Sequence, residues 1–387
     1  MVLPDANWNY PTAIRFGAGR ISELGEACRA LGIGRPLLVT DPALAKLPMV
    51  AEAVAAAGAR LFSDIHANPV GADVEAGLAA YRNGSHDGIV AFGGGSALDV
   101  GKVIAFMSGQ SRPLWDFEDQ ADWWTRADPA GIAPVVAVPT TAGTGSEVGR
   151  AGVILDQEAG VKKIIFHPKM LPAIVILDPE LTLGLPPHVT AATGMDALSH
   201  CLEAYCAPGF HPMADGIAAE GMKLIREWLP RAVDDGSDLE ARGHMLVAAS
   251  MGATAFQKGL GGMHALSHPI GALLGTHHGL TNAVLMPYML AFNRSAIEAR
   301  LARLAGYIGL EDASFEGFLA WIVELRRRLG IAHTLPELGV SPGDVERIAT
   351  MAEADPSAGG NPLPFDAAAA RAVLEAAMAG RLSSSRT

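Results

Sequence analysis

Cysteine is scarce in this chain: Cys28, Cys201 and Cys206 are odd in number and form no CxxC pair. That argues against both a disulfide framework and a thiolate zinc site. Cys201 follows His200, but successive helical residues point about 100° apart, so Cys201 reads as core rather than ligand. Positive charge is also in deficit, with 29 Lys and Arg against 41 Asp and Glu for a net charge of −12. No basic cluster forms an electrostatic footprint for nucleic acid, so no nucleic-acid partner is expected. Apolar runs stay short of the roughly 18 residues that span a bilayer; MLVAASMGATAF, at 245–256, is among the longest. No membrane span is expected. Met1-Val-Leu-Pro-Asp offers neither a basic n-region nor an apolar h-region, and cytoplasm is the expected location.

What is present suffices for two domains with sizeable cores, given 387 residues of which half are hydrophobic. From AIRFGAGRI onward, short apolar runs alternate with Ala-rich stretches, the pattern of β-α units around a mainly parallel sheet. The clearest predicted strands are 35–41, 59–65, 87–96, 134–141 and 173–179, with helices over 43–57, 71–83 and 97–107. Residues 127–133 read as a surface loop. After Pro186-Pro187 strand signals vanish and helix follows helix. The expected organisation is an α/β dinucleotide-binding domain over 1–183 and an all-α metal-binding domain over 184–387. The closing GRLSSSRT is expected to fray.

Two glycine-rich turns follow predicted strands. In AFGGGSALDVGK the strand ends at Phe92, Gly93, Gly94 and Gly95 allow close backbone approach, and Ser96 can donate or cap. Such a turn opening a helix presents N–H groups and a dipole to an anion. It is not the GxGxxG fingerprint, and an ordinary tight turn is the competing reading. PTTAGTGSEVG gathers Thr140, Thr141, Thr144 and Ser146 around two glycines, hydroxyls suited to a diphosphate or ribose.

The densest chemistry lies between Ala192 and Asn282. Asp196 and His200 stand four apart in GMDALSH, on one helical face about 6 Å from each other, so one divalent cation fits between them. GMHALSHPIGALLGTHHGLTN carries His264, His268, His277 and His278. On an unbroken helix His264 and His278 would be roughly 21 Å apart, but Pro269, Gly271 and Gly275 allow the helix to end and the chain to fold back. A capping Asp and core histidines are the plainer reading of each residue alone. Together, among residues such as Met195, Leu198 and Leu266, so many unpaired polar groups would be expensive. One carboxylate with neutral imidazoles suits Fe(II), Zn(II) or a similar ion.

The two His-rich motifs, with TTAGTGSE, resemble the iron-containing (group III) alcohol dehydrogenase family over nearly the whole chain, from FGAGR through DPELT to GGNP near residue 360. The resemblance implies metal ligands Asp196, His200, His264 and His278, with His277 the weaker candidate at that end. It implies an NAD site, NAD in preference to NADP, lined by Asp41, Asn68, Gly94, Gly95, Ser96, Asp99, Thr140, Thr141, Thr144, Ser146, Lys162 and Leu181. Asp41 would accept from the adenosine ribose, though it could equally be a turn residue before Pro42; Lys163 competes with Lys162. The implied reaction is hydride transfer between NAD(H) and a small primary alcohol or its aldehyde in a cleft between the domains. His268 would be a proton relay or a structural neighbour of the ion, and Trp8, Trp115 and Phe256 either pocket or core. Within the same resemblance, a diol dehydrogenase, a maleylacetate reductase or a hydroxyacid-oxoacid transhydrogenase is the alternative reading, and each would use similar loops with a different pocket. A dehydroquinate-synthase-type lyase would need several basic residues, and Lys258 is the only Lys or Arg between Gly243 and Asn293. A homodimer or larger homo-oligomer is expected.

Overall fold

The computed structural model describes residues 6–8, by backbone alone, and 12–382. The Trp8 side chain and the tail from Ser383 onward lie outside the described residues. The chain divides into two compact units, Met1–Gly184 and Leu185–Thr387.

In the first unit the strands are β1 (Ala6–Trp8), β2 (Ala13–Phe16), β3 (Pro36–Val39), β4 (Arg60–Phe62), β5 (Gly88–Gly93), β6 (Val135–Pro139), β7 (Ala151–Asp156), β8 (Val161–Phe166) and β9 (Ile174–Leu177). Seven of them form one sheet in the order β1-β2-β9-β6-β5-β3-β4, parallel throughout except where β1 pairs antiparallel with β2. Every residue of β3, β5, β6 and β9 is buried. Continuous Val, Ile and Leu runs of this kind are what a parallel sheet covered on both faces demands. Helices α1 (Leu24–Ala30), α2 (Pro48–Ala57), α3 (Gly71–Asn83) and α4 (Gly95–Met107) alternate with the strands. The predicted helix 43–57 is split: a 3-10 turn over Leu44–Lys46 precedes α2, which starts at Pro48. The hairpin β7–β8 was not anticipated from the sequence and stands outside the main sheet.

From β3 the chain adds β4 on one side, then returns to add β5 on the other. The strands β3 and β5, side by side, therefore flank a topological switch point, where loops at the carboxyl ends of parallel strands diverge and leave a crevice.

The second unit holds α5 (Pro187–Cys206), α6 (Pro212–Asp234), α7 (Leu239–Ala255), α8 (Gly262–Leu274), α9 (His278–Tyr307), α10 (Phe315–Arg328), α11 (Val345–Glu353) and α12 (Ala367–Ala379). Pro187 occupies the first turn of α5, where a missing N–H does no harm. Contrary to one option the sequence left open, Pro269 and Gly271 do not break α8. It runs on to Leu274 and stops at Gly275 with φ 68°, and α9 begins three residues later. No helix among the described residues is long and apolar enough to cross a membrane.

Candidate metal centre and nucleotide loops

Three helices bring one carboxylate and three imidazoles to a point. Asp196 and His200 lie one turn apart on α5, both buried; His264 is in the first turn of α8, and His278 is the first residue of α9. One ligand atom from each of the four lies within 4.8 Å of all the others. Asp196 Oδ1 is 3.6 Å from His278 Nε2 and 3.9 Å from His200 Nε2. Four ligands about 2.1 Å from a tetrahedral ion would be about 3.4 Å apart, so small adjustments close the set. Gly279 permits the convergence: a Cβ there would lie 2.3 Å from the Ala192 carbonyl oxygen and 2.8 Å from the Asp196 Cβ.

Two observations test whether a cation fits. Among the described residues no Lys or Arg pairs with Asp196, whose only ion-pair partners are His200 and His278. A buried carboxylate without a cation is costly. The second is Asn282, fully buried one turn into α9. Its Nδ2 lies 3.0 Å from Asp196 Oδ1, 3.3 Å from His264 Nε2 and 3.2 Å from His278 Nε2, while its Oδ1 is buried without a hydrogen-bond partner. An amide whose nitrogen lies against three of the four ligand residues while its oxygen has no partner marks a polar pocket short of a binding group. The donor set suits a divalent transition ion.

Around the four, Glu203 accepts from His264 Nδ1 at 2.6 Å, and Phe256 meets the His200 ring edge-on at 5.1 Å. Burial pushes the Cys201 and Cys206 thiols up to about 12, so neither is a thiolate available to metal. His277 caps the start of α9 with its side chain exposed, outside the group of four.

His268 lies a turn beyond His264, its ring stacked on His278 at 5.4 Å. Its Nδ1 is 2.8 Å from Asp355 Oδ2. Burial acts to raise the Asp355 carboxyl, but the His268 hydrogen bond and charge, aided by Ser357, bring it below the usual range. Glu203 and Asn282 were missed in the sequence although each sits one turn from a motif histidine. Asp355 left no signal, being 87 positions from its partner.

The nucleotide candidates gather at the carboxyl ends of five neighbouring strands: Asp41 after β3, Asn68 after β4, Gly94 to Ser96 after β5, Thr140 to Thr144 after β6 and Leu181 after β9. Gly94 caps α4, and a Cβ on Gly95 would come within 2.5 Å of Thr144 Oγ1, so the two glycine loops pack directly. Ser96 Oγ donates to the Ala67 carbonyl at 2.6 Å, tying in the Asn68 loop. Asp41 is a turn residue: its Oδ1 accepts the Ala43 and Leu44 N–H groups, both at 2.9 Å. Asp99 and Ser146 hold each other, Ser146 Oγ donating to Asp99 Oδ1 at 2.5 Å while Asp99 Oδ2 accepts the Val153 N–H. Lys102 is buried beneath them, donating to the Ser146 and Ala151 carbonyls; burial pulls its pKa down against the Asp99 charge. The Leu181 side chain packs in the core of this unit. Lys163 pairs with Asp156 at 2.9 Å and lies over Trp115, whereas Lys162 is on the opposite face of β8.

Comparison with known proteins matches residues 11–179 to the model of iron-containing alcohol dehydrogenase and residues 190–378 to that of the Fe-containing alcohol dehydrogenase family, C-terminal. The 4-hydroxybutyrate dehydrogenase of Cupriavidus necator is 40% identical over 95% of this chain and 99% of its own. The NAD-dependent methanol dehydrogenase of Bacillus methanolicus is 35% identical over 92% and 95%. A crystal structure of 1,3-propanediol oxidoreductase superposes with a TM-score of 0.90 at 35% identity, covering 98% of this chain and all of that one.

Proposed function

This chain belongs to the iron-containing alcohol dehydrogenase family, and from that premise we propose how it acts as an NAD-dependent alcohol oxidoreductase, with small primary alcohols of up to about four carbons, or their aldehydes, as substrates. The three relatives are named for substrates of that size. The observation that carries the reading is the convergence of Asp196, His200, His264 and His278, with no Lys or Arg paired with Asp196 among the described residues.

Those four residues would hold Fe(II), or Zn(II) in its place. When bound, the ion supplies Lewis-acid polarisation of the substrate oxygen. The α4 N-terminus and the Gly94–Ser96 turn bind the diphosphate, and the Thr140–Thr144 loop reaches toward the nicotinamide. Asp99 and Ser146 support that loop from beneath. Asp41 offers Oδ2 to the ribose while Oδ1 keeps the turn closed. Lys162, on the opposite face of β8 from the Lys163–Asp156 pair, serves the cofactor. His268, with Nδ1 fixed by Asp355, takes and returns the substrate hydroxyl's proton at Nε2.

Residues 1–183 are thereby the nucleotide-binding domain and 184–387 the metal domain. A cytoplasmic homodimer or larger homo-oligomer is proposed as well; the outward-facing Phe210 and Met213 support the assembly, and light scattering tests it. For the reaction, purified protein of measured metal content is given NAD and a panel spanning methanol, 1,3-propanediol and 4-hydroxybutyrate, read at 340 nm. Steady NADH production is expected and excludes a lyase that retains its nicotinamide. Turnover that survives complete metal removal, or wild-type metal content in His278→Ala, would sink the metal assignment.

A further inference from the structure

We infer that Glu203 is a positioning residue for the metal site, holding His264 in the tautomer that leaves Nε2 free to bind the ion. The inference rests on the four-ligand reading proposed above.

Glu203 is a buried carboxylate at the end of α5, three residues after His200. Its Oε2 lies 2.6 Å from His264 Nδ1 and accepts the Gly261 N–H at 2.8 Å; its Oε1 accepts the Met263 N–H at 2.7 Å. Among the described residues its only ion-pair partner is His264. A carboxylate at that distance requires a proton on Nδ1. The other end of the ring is compatible with this, since Nε2 lies 3.3 Å from the Asn282 amide nitrogen, whose two hydrogens are shared among Asp196, Ser199, His264 and His278. With the proton on Nδ1, Nε2 of the neutral ring carries the lone pair, and it is grouped with the Asp196 and His278 ligand atoms.

The competing reading is a helix cap alone, for two of the three bonds go to N–H groups at the start of α8. That duty is shared, however. Asn361 Oδ1 accepts the intervening Gly262 N–H at 3.2 Å, so the helix end has a second side-chain cap that does not touch His264. Helix α5 thus supplies two ligands and the group that aims a third.

Such carboxylate-to-histidine contacts are worth about 10- to 100-fold in metal affinity. The experiment uses Co²⁺ as the probe, with its dissociation constant from chelator competition and its visible d–d bands recorded for wild type, Glu203→Gln and Asn361→Ala. Glu203→Gln is expected to weaken Co²⁺ binding about 10- to 100-fold and shift the bands. Asn361→Ala is expected to lower Tm while leaving affinity and spectrum as in wild type. If Glu203→Gln fails to fold, long-range ¹H–¹⁵N spectra of ¹⁵N-histidine-labelled wild type decide: Nδ1–H on His264 supports the inference, Nε2–H overturns it. Unchanged affinity and bands in a folded Glu203→Gln also overturn it. Absence of Co²⁺ binding by wild type overturns the four-ligand reading itself, a failure separable from the first.

Discussion

Asp41 shows how one side chain can serve two ends. Oδ1 closes the turn after β3, and Oδ2 remains to face a ribose, where the 2′-phosphate of NADP would meet a like charge. Like-charge contacts cost several kcal/mol, so wild type should favour NAD by more than about tenfold in kcat/KM. Ser at position 41 keeps a turn acceptor and loses the charge. Asp41→Ser should therefore narrow the ratio without unfolding the loop; a wild type that favours NADP, or an unmoved ratio, removes Asp41 as the selector. His268 invites a second test at this scale. As a proton relay, His268→Ala should keep its metal and its NAD affinity, lose roughly 10² to 10⁴ in turnover, and recover partly with added imidazole. Wild-type turnover in that mutant makes His268 a packed helix residue. Asp196, His200, His264 and His278 could be singled out in the sequence because helical spacing and the chemistry of Asp and His are local signals. Glu203 and Asn282 were passed over because Glu and Asn at one-turn spacing look like ordinary helix surface until burial is known. Asp355 is joined to His268 only by tertiary folding.

Among the elements, the closest approach of α9 to α5 decides whether His278 reaches Asp196. At Gly279 the two backbones leave no room for a methyl group, since its Cβ would sit 2.3 Å from the Ala192 oxygen. Gly279→Ala should push the start of α9 outward, costing about 1–3 kcal/mol as overpacked sites do and weakening metal binding more than the stability loss alone explains. Calorimetric metal titration beside a thermal melt measures both, and a variant that melts early but binds metal as wild type does would separate the contact from the site. The central parallel strands were legible because their apolar runs are uninterrupted. The β7–β8 hairpin was passed over although Val153, Ile154 and Leu155 give β7 an apolar run of its own, because Lys162 and Lys163 interrupt β8 and the pair stands outside the β-α alternation that marked the central strands. Of the breakers between His264 and His278, Gly275 is the one that ends α8, after Leu274; the helix runs through Pro269, although proline in a helix interior usually ends or kinks it.

For the molecule as a whole, the two kinds of candidate site fall in different compact units: all four metal-site residues lie between 196 and 278, and all the nucleotide candidates between 41 and 181. A ligand that binds only the native state stabilises it by about 2.7 kcal/mol at a hundredfold excess over Kd. That protection appears first in the segments the ligand touches, since local openings are what exchange reads. Hydrogen exchange followed by mass spectrometry should therefore divide along the chain. Adding Zn²⁺ to metal-stripped protein should slow exchange in peptides from α5, the start of α8 and the first turns of α9, where Asp196, His200, His264 and His278 reside. Adding NAD alone should slow the turns after β3, β5 and β6 and the first turn of α4. The split is sharp enough to fail. If Zn²⁺ protects the β5–α4 turn as strongly as it protects α8, or if NAD alone protects the His278 segment and leaves the glycine turns exchanging freely, then the sites have been assigned to the wrong units.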